Sequence, residues 1–168
     1  MGEPDSSSWV LAKAERSGRP LLIRFRQFQN GLPEATYPKR ISIFWTLSDP
    51  DVTGLPTDAE FDRLAAFEDR LIAALEHDEH SILTLVLSHN GENEFIFYTA
   101  DVTGFFERLT SISRLDEHYP TSTRQADDPN WSYFLSVIPE KVRPLIAGGD
   151  STGVTEEPIE LDHQDTGT

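Results

Sequence analysis

Cysteine is absent from the 168 residues, which excludes disulfides, thiolate catalysis and cysteine-based zinc sites. Basic residues are scarce: Lys and Arg number 14 against 29 Asp and Glu, a formal net charge of -15. DNA, RNA and anionic lipid would each be approached against the chain's own field, so neither a nucleic-acid nor a membrane partner is expected. No apolar run reaches the length of a membrane span, and MGEPDSSSWV has neither the basic nor the apolar region of a secretory signal. These absences predict a cytoplasmic location. The G-x-S-x-G elbow of nucleophilic hydrolases is missing, and no cofactor motif is present.

What is there is enough for one packed core. Hydrophobic residues make up 38%, including ten Phe and three Trp, and a chain of this length is most naturally one domain. Composition divides it into a flexible start (1–8), a single α+β domain (9–143) and an acidic, disordered tail (144–168), where Gly, Thr, Ser and acids rise and aromatics vanish. Charge is uneven. Residues 1–40 hold seven Lys/Arg against four Asp/Glu, and the rest hold seven against 25. Such a surface suits a protein partner or self-association.

Hydrophobic periodicity sets the elements. SWVLAKAERSGRP reads as a short amphipathic turn or helix ended by Gly18 and Pro20. PLLIRFRQF and RISIFWTLS alternate as strands, the second with Ile41, Ile43, Trp45 and Leu47 on one face. A helix starts at Thr57, whose T-x-x-E spacing to Glu60 is that of a capping box. It runs to about Glu76, with Phe61, Leu64, Ala65, Leu71, Ile72 and Leu75 on its apolar side. SILTLVLS and EFIFYT flank Asn-Gly, a hairpin signal. A second helix carries Val102, Phe105, Phe106, Leu109 and Ile112 on one face. YPTSTRQ is a polar last strand, and DDPNWSYFLSVI a short helix turning Trp131, Phe134, Leu135 and Ile138 inward.

From Arg40 onward the order is β-α-β-β-α-β, which predicts a ferredoxin-like sandwich with an extra N-terminal strand and a short C-terminal helix. The extra strand has two possible places, beside the strand of residues 40–48 or at the opposite sheet edge. Phe44, Val86, Ile96 and Tyr98 make the second sheet face apolar too, so something covers it: the segment with Trp9, the helix with Trp131, or another subunit.

DVTG occurs at Asp51–Gly54 and again at Asp101–Gly104. With one Gly, no Lys and a leading Asp, neither copy suits a phosphate. The first is a loop; the second starts a helix with Asp101 as N-cap. EHDEH (76–80) has metal-like density but stands at a helix end, where solvated charge collects, so no metal site is expected.

Glu68 is the sharper candidate. At 100° per residue it falls among Leu64, Ala65, Leu71 and Ile72, where a carboxylate must be paired, protonated or at the edge of a cleft. Arg24, Arg26 and Arg40 are its possible partners, with Trp45 and Tyr98 as candidate lining. One reading is a structural salt bridge in a non-enzymatic interaction or regulatory module. The other is a small hydrolase or ligand-binding protein with a Glu/Arg pocket.

RISIFW, GLPT with FEDRL, FIFYTAD and YP with DDPNWSYF, in that order, resemble the bacterial family known as domain of unknown function 695, over roughly residues 9–138. That family is similar to the ribonuclease E inhibitor protein B type of domain, small acidic regulators that act by binding a protein. The resemblance implies a ferredoxin-like fold and a non-enzymatic interaction role, and supplies no catalytic residues.

Overall fold

The computed structural model describes residues 8–113, 119–148 and 159–160; the expected flexible start lies almost wholly outside them. Strands β1 (Trp9–Arg16) and β2 (Arg19–Arg26) form a hairpin, followed by β3 (Lys39–Thr46), α1 (Asp58–Leu75), β4 (Ser81–His89), β5 (Glu92–Thr99), α2 (Val102–Ser113), β6 (Thr121–Asp127), α3 (Ser132–Val137) and β7 (Ile159–Glu160). The sheet runs in the order β6-β3-β5-β4-β2-β1-β7. Its first six strands pair antiparallel, and β7 pairs parallel with β1. The fold is therefore α+β. No helix among the described residues is long and apolar enough to cross a membrane.

The first hairpin replaces the short amphipathic turn or helix expected over SWVLAKAERSGRP. Val10, Ala12 and Ala14 are buried while Leu11, Lys13 and Glu15 are exposed, a period of two. Ser17 and Gly18 both take positive φ, 56° and 76°, the two-residue turn that matches strand twist. The strand β2 pairs with β4, so the extra strand takes the edge opposite β6. Asn90 and Gly91 repeat the same turn between β4 and β5.

Both sheet faces are covered. On one, Ile41, Ile43, Trp45, Leu83, Val86, Phe95 and Phe97 pack against Leu64, Phe67, Leu71 and Leu75 of α1 and Phe105 and Ile112 of α2. On the other, Val10, Ile23, Phe25, Leu85, Leu87, Ile96 and Tyr98 pack against Trp131, Phe134 and Val137 of α3 and against Val142 and Ile146. The cover of the second face is thus the segment with Trp131. Packing continues beyond residue 143, where composition predicts the tail, because a 3-10 helix runs from Glu140 to Ala147. The rest of that stretch, apart from β7, lies outside the described residues.

Val86 belongs to the α1 face, against the expectation that it joins Ile96 and Tyr98. A register shift between Leu83 and Leu85 inserts Thr84 as an extra residue, and every later side chain of β4 changes face.

The first DVTG copy is a clasp. Gly91 donates its N–H to the Gly54 carbonyl at 2.7 Å, and Leu47 donates to the Gly91 carbonyl at 2.9 Å. A Cβ on Gly54 (φ 91°) would lie 2.8 Å from Asn90 Cα, whereas one on Gly18 meets open space. Gly54→Ala is accordingly expected to lower urea stability by about 2–4 kcal/mol, from positive φ plus backbone overlap, and Gly18→Ala by about 1 kcal/mol from φ alone. Equal losses in the two variants would refute the clasp.

Candidate functional site

The helix α1 presents its carboxylates to three places, and the geometry differs from the helical-wheel expectation. The buried stripe is Glu60, Leu64, Phe67, Leu71 and Leu75. Phe61, expected inside, is 61% exposed, and Ala65 is exposed too. The stripe is rotated so that Glu60 takes the centre and Glu68 the flank.

Glu60 is 2% exposed and does not cap its own helix; no side-chain cap is made at Thr57. Its carboxylate accepts hydrogen bonds from Trp45 Nε1 (3.1 Å), Ser48 N (2.9 Å), Asp49 N (3.1 Å) and Ser48 Oγ (3.2 Å). Burial opposes the charge, yet these donors outweigh it and hold the carboxyl below its ordinary value. The T-x-x-E spacing was the signal; it marked a loop brace instead of a capping box.

Glu68 pairs with Arg24 through both guanidinium arms, one at 3.1 Å. Two residues along β2, Arg26 pairs with Glu76 at 3.1 Å, and Glu76 also accepts the Leu83 N–H at 2.9 Å. The Trp9 ring lies 5.0 Å from both guanidinium carbons, a cation–π arrangement that holds two like charges on one surface. The period of β2 puts Arg24 and Arg26 on the same face, and two turns of α1 separate their partners. Arg26 is 4% exposed, and its Nε is a buried donor with no acceptor among the described residues. The result is a double brace between α1 and β2.

Arg40 and Tyr98 lie on the opposite face of the sheet and do not join Glu68. The Arg40 guanidinium sits 4.1 Å from the Tyr133 ring centroid, and Tyr133 donates its hydroxyl to Glu94 at 3.1 Å. Burial pushes the Glu94 carboxyl above its ordinary value, against hydrogen bonds from Ser42 and Tyr133 and the charges of Arg40 and Arg16. Tyr98 stacks on Trp131 at 4.3 Å and donates to Asp128 at 2.7 Å. Asp128 also accepts from Ser132 N (2.8 Å) and Tyr133 N (3.0 Å), tying α3 to the sheet. Trp45 is buried under α1. The six candidates thus divide among three environments: Arg24, Arg26 and Glu68; Trp45; and Arg40 with Tyr98.

Around EHDEH, Glu76 serves the brace, His80 Nε2 lies 3.3 Å from Asp101 Oδ2, and His77 is exposed beside Asp78. Among the described residues no group of three or more His, Asp or Glu is placed to hold a metal ion. Asp101 caps α2 by accepting the Gly104 N–H at 3.0 Å, which lowers its carboxyl pKa.

A family model described as Family of unknown function (DUF695) matches residues 7–138. The chain belongs to this family. The match takes in the whole double brace, the Arg40 and Glu94 cluster and α3, and stops before the 3-10 helix that completes the second cover. No curated protein and no solved structure gives a significant match.

Glu60 is held by four donors and Glu68 by both guanidinium arms of Arg24, so each braces α1. Glu60→Ala leaves the Trp45, Ser48 and Asp49 donors without a partner and is expected to cost about 2–4 kcal/mol; Glu68→Ala, on the partly solvated pair, about 1 kcal/mol. Urea titration checks the ranking, and a larger loss for Glu68 would reverse the assignment. Glu94 carries the opposite sign. Its raised folded pKa adds stability that is full below the ordinary carboxylate value and lost as pH rises through the raised one. Glu94→Gln should therefore gain on the parent as pH rises through that window; a constant difference would refute it.

Proposed function

We propose that this chain is a non-enzymatic, cytoplasmic protein-interaction module built on a ferredoxin-like sandwich. The order β6-β3-β5-β4 with α1 and α2 on one face supports that description of its centre, and the β1–β2 hairpin extends it beyond β4. One observation carries the functional reading. The acidic groups that a hydrolase would use are held in structural pairs, while Leu11 on β1 and Phe61 on α1 remain 57% and 61% exposed. Leu11 and Phe61 are the large apolar side chains of the named strands and helices that are left to solvent, and so the positions at which contact with another protein is tested. The proposed kinship with the ribonuclease E inhibitor protein B type of domain belongs to the same reading and is tested with it.

Two measurements decide between this and the Glu/Arg pocket. A photoreactive residue at position 11 or 61 is expected to give a discrete adduct in the native cell, with one identified protein that captures the chain reciprocally. Model ester and phosphoester substrates are expected to show no turnover dependent on Glu68. Turnover abolished by Glu68→Gln, or the absence of any adduct from both positions, would overturn the interaction reading.

A further inference from the structure

Four asparagines stand in the chain, and two of them, Asn30 and Asn90, precede glycine. That pairing has a chemistry of its own. The backbone nitrogen after an asparagine can attack the side-chain amide carbon, and a following glycine leaves the approach free of a side chain. A C–N bond forms, the side-chain nitrogen leaves as ammonia with the displaced proton, and water opens the cyclic imide at either carbonyl to give aspartate or isoaspartate. The net change is amide plus water to carboxylic acid plus ammonia, with no oxidant or further reagent.

The imide nitrogen carries no hydrogen, so the reaction gives up whatever hydrogen bond the glycine N–H makes. Here the two sites part. Gly91 donates its N–H to the Gly54 carbonyl at 2.7 Å and accepts the Leu47 N–H at 2.9 Å, so it is held through both backbone groups. Gly54 also packs against it: a Cβ there would lie 2.8 Å from Asn90 Cα and 3.2 Å from Gly91 N. Gly31 is exposed, and its N–H reaches only the Phe28 carbonyl of its own turn, at 3.3 Å, outside the ordinary range. Asn30 and Asn90 are themselves both exposed, so access of water does not separate them.

We infer that Asn30 is a site of spontaneous conversion to aspartate and isoaspartate in the folded protein, and that the Gly54 clasp keeps Asn90 an amide. Local opening sets the rate at each site. A turn closed by one long hydrogen bond opens readily, whereas freeing Gly91 means lifting the first DVTG loop off the β4–β5 turn. Conversion at Asn30 adds a negative charge and, in isoaspartate, a backbone methylene, two residues from Phe28. The Phe28 ring lies edge-on to Trp131 and Phe134 at 5.4 and 5.9 Å, and its N–H donates to the Ile146 carbonyl at 2.5 Å. The reaction therefore takes place beside the joint between the segment leaving β2 and the cover of the second sheet face.

The test keeps the full-length chain folded in warm, mildly alkaline buffer and digests samples in acid. The amide, aspartate and isoaspartate forms of the peptides around positions 30 and 90 are then separated by chromatography and quantified by mass spectrometry. Each rate is divided by that of a free synthetic peptide of the same local sequence, which removes the effect of neighbouring residues. The normalised rate at Asn30 is expected to exceed that at Asn90 at least about tenfold, or about 1.4 kcal/mol in local opening. Gly54→Ala should raise the Asn90 rate at least about tenfold and leave Asn30 within about twofold. The parent in enough urea to match that variant's stability controls for whole-chain opening, and its Asn90 is expected to stay slow. Equal normalised rates at the two sites in the parent, or no conversion at Asn30, overturn the proposal. That comparison needs no variant and decides the matter even where Gly54→Ala does not fold. An Asn90 rate unmoved by Gly54→Ala, or raised as far in the urea-matched parent, overturns the protective role of the clasp.

Discussion

A sheet that is apolar on both faces has to be covered twice, and here the second cover hangs on one node. Trp131, fully buried, stacks on Tyr98 and donates its indole N–H to the Tyr37 carbonyl at 2.8 Å. Asp128 joins Tyr98 to the first two backbone N–H groups of α3. A helix of six residues is too short to be stable alone, so its position comes from this node. Burial raises the Tyr98 hydroxyl pKa, and Asp128 raises it further; the hydroxyl remains a donor throughout the physiological range. With α3 in place the 3-10 helix behind it can bury Val142 and Ile146. Without it Leu85, Leu87 and Ile96 would face water.

The first cover is governed by carboxylates. Glu60 binds α1 to the end of β3, and Glu68 and Glu76 bind it to β2, so one helix is held to both halves of the sheet. Glu60 and Glu76 accept from backbone N–H groups, and Glu68 from both arms of Arg24. The arrangement accounts for how a chain this acidic packs a helix closely: Glu60, the α1 carboxylate nearest the core, is met by four donors.

Much of this was legible in the residues, for identifiable reasons. Strong alternation in RISIFW and EFIFYT, the Asn-Gly turn, and the 3.6-residue spacing of Phe105 and Ile112 are signals that tertiary context reinforces. The strand β1 was hidden because Ala12 and Ala14 carry its buried face, and Ala, Lys and Glu favour helix. The face of Val86 was hidden by Thr84, since a bulge changes phase without any compositional mark. For α1, an ideal wheel could not rank Glu60 above Phe61, because only the loop donors at Ser48 and Asp49 make burial of the carboxylate favourable. The need for a partner to Glu68 was readable from one helix; the partner's identity was not, because Arg24, Arg26 and Arg40 are separated only by which sheet face they occupy.

The place of β2 beside β4 has a consequence for the order of events as the chain emerges from the ribosome. The β1–β2 hairpin closes through a local turn, within about 1–10 μs, but β4 begins only at Ser81. At roughly 5–20 residues per second the hairpin waits several seconds for its neighbour. During that interval β2 is itself an edge, and neither Glu68 nor Glu76 has been synthesised when the wait begins. Arg24 and Arg26 are then cations without their carboxylates, beside Trp9 alone, the kind of residue that discourages pairing with other nascent chains. The two arginines that later anchor α1 thus begin as guards against aggregation, and the arrival of the helix converts one role into the other.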